Sequence, residues 1–118
     1  MKIKRLKDAE TYESANHFEC KALRLAGFEE GSSENFWIGC SHFLPGGSAG
    51  PDASPLEKVY VVLSGDLTVI VDGVESIASA MDTVVIPAGE IREIINKSNN
   101  VVTILVVMPY PDTVKKGS

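Results

Sequence analysis

Residues 46–65, GGSAGPDASPLEKVYVVLSG, begin as a loop rich in glycine and proline and end as an apolar strand. The run from Lys58 to Leu63 is dominated by valine, tyrosine and leucine and ends at Ser64-Gly65, the composition of a strand closed by a turn. Side chains alternate along a strand, so Lys58, Tyr60 and Val62 share one face. Lys58 is the anomaly, because a cation on a buried apolar face is costly unless something meets its charge.

The same texture extends outward in both directions. Residues 36–44, 57–63, 67–71, 83–86, 91–95 and 101–108 are short β-branched runs that read as strands. Pro45-Gly46-Gly47, Ser64-Gly65-Asp66, Asp72-Gly73, Pro87-Ala88-Gly89 and Ser98-Asn99-Asn100 separate them, each a turn signal. Asp72-Gly73 suits a tight hairpin. Residues 7–16 and 21–30 are the only stretches with a helical reading. Many short strands at close spacing imply an all-β sandwich or barrel, and 118 residues suffice for one domain, 1–118.

Composition narrows the function classes. Sixteen acidic residues against eleven basic ones leave a net charge of −5, which argues against a nucleic-acid surface. The longest apolar runs, near Val59–Leu63 and Ile104–Met108, are too short to cross a bilayer, and no apolar leader follows the positive Met1–Arg5 start. The expectation is a cytoplasmic protein with no membrane partner, whose Cys20 and Cys40 are reduced thiols without metal-type spacing. His17 reads as structural, and Trp37 as core or dimer interface.

The landmarks, taken in order, resemble the cupin superfamily of small jelly-roll β-barrels. The family's first motif carries a glycine, two histidines, a glutamate and a closing glycine; Gly46, Asp52, Ser54, Lys58 and Gly65 stand at those places, over 46–65. Its second carries a glycine, a proline, a glycine, a histidine and an asparagine; here Met81, Pro87, Gly89, Arg92 and Asn96 stand there, over 81–96. The resemblance implies a jelly-roll barrel with a short, partly irregular N-terminal segment, and commonly a homodimer. It also implies a metal ion held by three histidines and a glutamate. All four of those ligands are replaced, by Asp52, Ser54, Lys58 and Arg92. Charged lysine and arginine donate hydrogen bonds and cannot ligate a metal, so the expectation is no metal and no cofactor.

In the resemblance, the position of Lys58 points into the barrel, and Arg92, Ile94 and Asn96 share the inward face of a later strand. The expected pocket is lined by Lys58, Tyr60 and Arg92, with Asp52 and Ser54 at its rim; periodicity leaves open whether His42 faces it. Two cations so placed need an internal carboxylate or an anionic ligand. Arginine suits a carboxylate, and a lysine depressed by burial and a like charge suits a general base or a Schiff-base nucleophile. The reading assigns Lys58, Tyr60 and His42 to catalysis, and Arg92, Asp52, Ser54 and Asn96 to substrate binding. The expected ligand is a small carboxylate or carbonyl metabolite undergoing isomerase-, lyase- or decarboxylase-type chemistry. Two alternatives stand beside it: a barrel that only binds or senses such a molecule, and a metal-dependent cupin with atypical ligands.

Overall fold

The structure, a computed structural model, describes residues 1–111. Nine antiparallel strands follow a short 3-10 turn at Leu6–Asp8: β1 Glu10–Tyr12, β2 His17–Ala26, β3 Phe36–Asp52, β4 Lys58–Ser64, β5 Leu67–Val71, β6 Val74–Ala78, β7 Thr83–Ile86, β8 Arg92–Ile95 and β9 Val102–Pro109. They form one curved sheet in the order β6-β5-β8-β3-β9-β4-β7, with β2 laid along β3 and β1 along β2. The result is an all-β, nearly closed jelly-roll barrel, whose path ends at the short strands β6 and β7. No helix among the described residues is long and apolar enough to cross a membrane.

The 17-residue β3 organises the barrel. Its first half pairs with β9 through Phe36–Phe43, and its second half pairs with β8 at Ser48, Ala49 and Asp52. Pro45-Gly46-Gly47, a turn signal in the sequence, is thus a bend inside one continuous strand. Gly47 permits it, since a Cβ there would lie 2.6 Å from the Glu19 carbonyl oxygen on β2. Asp72 and Gly73 connect β5 to β6 as the expected hairpin, with φ of 51° and 75°.

Apart from the end of the 3-10 turn at Leu6–Asp8, residues 7–16 and 21–30 are not helical. β1 takes residues 10–12 of the first and β2 residues 21–26 of the second, because Glu19, Cys20, Lys21 and Ala22 alternate polar and apolar in strand fashion and β3 offers an edge to pair with. The sequence also hid β6, whose five residues are mostly exposed and lack an apolar run.

The core is a single cluster built from the inward faces: Phe43 and Ala49 of β3, Tyr60 and Val62 of β4, Leu67 and Val69 of β5, Ile94 of β8, and Val102 and Ile104 of β9. Asn96, just past β8, is wholly buried and fully engaged. Its side-chain amide donates to the carbonyls of Phe43, at 3.0 Å, and Asn100, at 2.7 Å. Its side-chain oxygen accepts from the Ser98 backbone N–H and hydroxyl, and its main chain bonds Gly46 and Gly47. This corrects the expectation that Asn96 binds substrate: each hydrogen-bonding site of its side chain is committed to closing the 96–100 turn onto the β3 bend. Asn96→Ala should therefore cost about 3 kcal/mol of unfolding free energy through the buried partners it strands. Urea denaturation measures this, and a cost within the scatter of surface substitutions would contradict it.

Candidate functional site

Three side chains on the inward faces of β4 and β8 meet at one end of the barrel. Arg92 opens β8, opposite Asp52 of β3 in register, and is 4% exposed. Its guanidinium enters the interior because Gly50 has no side chain. A Cβ at Gly50, with φ of +89°, would lie 2.6 Å from the Arg92 carbonyl oxygen and 2.9 Å from Nη1. Arg92 Nε donates to the Tyr60 hydroxyl at 2.7 Å. Nη1 is buried and has no hydrogen-bond partner among the described residues.

Lys58 lies at the head of β4, 9% exposed, opposite the buried Ile86 of β7. The ion pairs among the described residues join Lys2 and Lys4 to Glu29 and Lys97 to Glu75; none involves Lys58 or Arg92. Burial, then the Arg92 charge, lowers the Lys58 ammonium from 10.5 to about 8, with Asp52 opposing. Burial raises the Tyr60 phenol, with Arg92 opposing, so the hydroxyl stays protonated at neutral pH. Tyr60 accepts from Arg92 and keeps its own proton for an acceptor in the barrel mouth.

A fourth member comes from a region read as structural. His17, at the start of β2, pairs with Ala49, a core residue of β3, and its ring stacks on Phe43 with a centroid distance of 6.4 Å and an interplanar angle of 21°. It lies in the electrostatic reach of Arg92, Lys58 and Asp52. The strand signal of Glu19–Ala22 could have found β2, but only the β2–β3 register brings His17 to the mouth.

Other expected residues sit elsewhere. His42 alternates with the inward Phe43 and so faces out of the barrel. Its Nδ1 lies 2.9 Å from Thr103 Oγ1 and its Nε2 3.9 Å from Cys40 Sγ, beside an open hollow lined by Cys20, Lys21, Leu44 and Val101. Thr103 is outward too, between the inward Val102 and Ile104, and the proton shuttle assigned to His42 is corrected accordingly. Ser54 accepts the Leu56 N–H at its hydroxyl and the Gly89 N–H at its carbonyl, which fixes the loop before β4. Asp52 is exposed at the rim, where its charge acts on Lys58 and Tyr60.

The donor set does not fit a divalent metal. Two of the family's four ligand places hold cations, a third holds a hydroxyl, and no cluster of three His, Cys, Asp or Glu side chains is present among the described residues.

The sequence model for the cupin domain matches residues 40–108. A Mycobacterium tuberculosis (strain ATCC 25618 / H37Rv) protein named Beta-D-galactosidase Rv1717 is 40% identical over 111 residues, 94% of this chain and 96% of its own. The polyketide cyclase RemF from Streptomyces resistomycificus superposes with a TM-score of 0.82 at 21% identity, over 92% of this chain and 79% of its own. An RmlC-like cupin from Shewanella frigidimarina NCIMB 400 does so with a TM-score of 0.75 at 17% identity, over 93% and 91%. At such identities the two structures show the fold alone. Relatives of this barrel thus include proteins named as enzymes.

The pH dependence of stability tests the setting of Lys58. Its folded pKa of about 8 lies below the ordinary 10.5, so the penalty for burying the charge is fully present below pH 8. It is relieved as the pH rises toward 10.5, where the unfolded chain binds the proton that the folded one has released. Lys58→Met should therefore be more stable than wild type at about pH 7, with the gap narrowing toward about pH 10 in urea titrations. A gap that is constant or widens would contradict this setting.

Proposed function

This chain belongs to the cupin domain family, and we propose that its barrel mouth binds a small anionic metabolite of the carboxylate or carbonyl type and moves a proton on it, in isomerase- or lyase-type chemistry. The observation that carries this reading is the Arg92 Nη1 atom, buried without a partner beside a second buried cation. A guanidinium held in an apolar interior by one neutral phenol is costly. A ligand carboxylate or enolate offsets that cost by accepting from Nη1, from Lys58 and from the Tyr60 hydroxyl together. Charge-assisted bonds of this kind are about twice as strong as neutral ones.

The same groups suit a transition state. Removing a proton next to a carbonyl moves charge onto the carbonyl oxygen, and fixed donors in a dry site stabilise that oxygen most as its charge develops. A barrel that only binds or senses the anion would use the same clamp, and turnover separates the two. The family's metal has no part in this reading, because Lys58 and Arg92 would repel a divalent cation where a ligand should hold it. The reading includes a homodimer in the cytoplasm, which light scattering after gel filtration tests.

A second reading follows from the relative that is 40% identical and named as a β-D-galactosidase: this chain acts on galactosides. Glycoside hydrolysis ordinarily needs a pair of carboxyl groups flanking the bond. Asp52 is the one carboxylate whose charge acts on Lys58 and His17, so the anionic ligand is the better supported of the two.

A thermal-shift screen over carboxylates, oxo acids, sugar acids, phosphates, neutral sugars and galactosides tests both. Anions should raise the melting temperature, by about 2.7 kcal/mol of added stability at a hundredfold excess over Kd. The rise should vanish in Arg92→Met and fade as Lys58 loses its charge above about pH 8. Stabilisation by neutral galactosides alone, with hydrolysis, would favour the second reading, and no anion-selective rise would contradict the first.

A further inference from the structure

Resting on the proton-transfer reading above, we propose that His17 is the general base of the site, taking the substrate proton on Nε2 while its Nδ1–H is held by the Ala15 carbonyl.

Placement is the first argument. Residues directly opposite in an antiparallel pair point to the same side of the sheet. His17 pairs with Ala49, and Ala49 pairs in turn with Ile94; both partners belong to the core, so the imidazole is carried on the inward face. Arg92 lies two residues before Ile94 on the same face of β8. The segment is fastened at this place: the Asn16 side-chain amide donates to the Pro51 carbonyl at 3.1 Å, and the Gly50 N–H donates to the Asn16 carbonyl at 2.9 Å. These bonds tie the entry of β2 to the end of β3 that flanks Arg92.

The tautomer is the second argument. His17 Nδ1 lies 2.8 Å from the Ala15 carbonyl oxygen, which has no proton to give. Nδ1 must therefore carry the hydrogen, and in the neutral ring Nε2 keeps its lone pair. Stacking on Phe43 fixes the ring plane. Burial lowers the ring's pKa below its ordinary 6.5; the nearby Arg92 and Lys58 charges lower it further, while the Ala15 bond and Asp52 oppose them. The ring is thus neutral at physiological pH. Beside it lies a hollow of about 280 Å³, lined with His17 by Tyr12, Glu13, Ser14, Cys20 and Ala22.

The step balances. The C–H bond next to the substrate carbonyl breaks, its proton passes to Nε2, and its electron pair forms the enolate. The enolate oxygen accepts from Arg92 Nη1, Lys58 and the Tyr60 hydroxyl. The imidazolium returns the proton to the same carbon. Lys58, next to the Arg92 charge, is then left as an electrostatic donor, and a base separate from the cation clamp needs no proton exchange between them.

The test follows deuterium entry into the methyl group of pyruvate in D2O by proton NMR, alongside a nitrogen-15 spectrum of histidine-labelled protein. The chain has two histidines, so His42→Gln assigns both signals. Wild type should exchange pyruvate at least tenfold faster than buffer. His17→Gln should fall to the buffer rate yet keep its pyruvate-dependent rise in melting temperature. The wild-type His17 ring should be neutral and protonated on Nδ1 at pH 7, with a titration midpoint that moves up in Arg92→Met. Exchange that survives His17→Gln, or a ring protonated on Nε2, would overturn the assignment. No exchange in wild type with the melting rise intact would overturn proton transfer while leaving the anion site, and loss of both would overturn the reading beneath it.

Discussion

A guanidinium without a counter-charge is the constraint around which the mouth of this barrel is arranged. Arg92 is 4% exposed, and its hydrogen-bond partner in the interior is the Tyr60 hydroxyl. Structural arginines in protein interiors are normally paired with carboxylates, because desolvation otherwise outweighs any packing gain. Here Asp52 stands opposite Arg92 in register but is turned to solvent, and Lys58 adds a second cation. Gly50 keeps the space for the guanidinium at the expense of a left-handed backbone. An arrangement so unfavourable in isolation makes sense when a ligand supplies the missing charge.

The rest of the barrel isolates that end from the scaffold. Asn96, at a place where the family pattern also has asparagine, closes a turn and spends its whole side chain there. Ser54 does the same for the loop before β4. The Phe43, Val62, Val102 and Ile104 core fills the interior beyond Tyr60. At the mouth, Arg92 Nη1, the Lys58 ammonium, the Tyr60 proton and His17 Nε2 stay uncommitted, whereas the other buried unpartnered guanidinium nitrogen among the described residues, Arg24 Nη1, belongs to a side chain stacked over the Tyr12 and Phe28 rings.

Much of this was legible in the sequence, for a physical reason. Strands β4, β5, β7, β8 and β9 are short segments rich in β-branched residues between strong turn signals, and period two alone sets Lys58, Tyr60 and Val62, or Arg92 and Ile94, on one face. The N-terminal third was not legible. β2 is interrupted at Glu19, whose φ of 49° shifts the register, so its alternation does not survive a linear reading. His17 therefore passed as structural, although the β2–β3 pairing delivers it to the mouth. The β3 bend had the reverse effect. Phe36–Leu44 alternates imperfectly, so the outward face of His42 follows only from its partner Thr103 on β9. Pairing partners far apart in sequence decided both histidines, and a single chain's periodicity carries no information about them.

The most direct test of the central claim is a crystal structure of the wild-type protein, purified without added carboxylates and then soaked with an oxo acid such as pyruvate. Carboxylate density should lie within hydrogen-bond distance of Arg92 Nη1 and face Lys58, with Asp52 still turned outward. Arg92 paired to the side chain of Asp52, Glu57 or Glu93, or a metal ion bound at that end of the barrel, would contradict it.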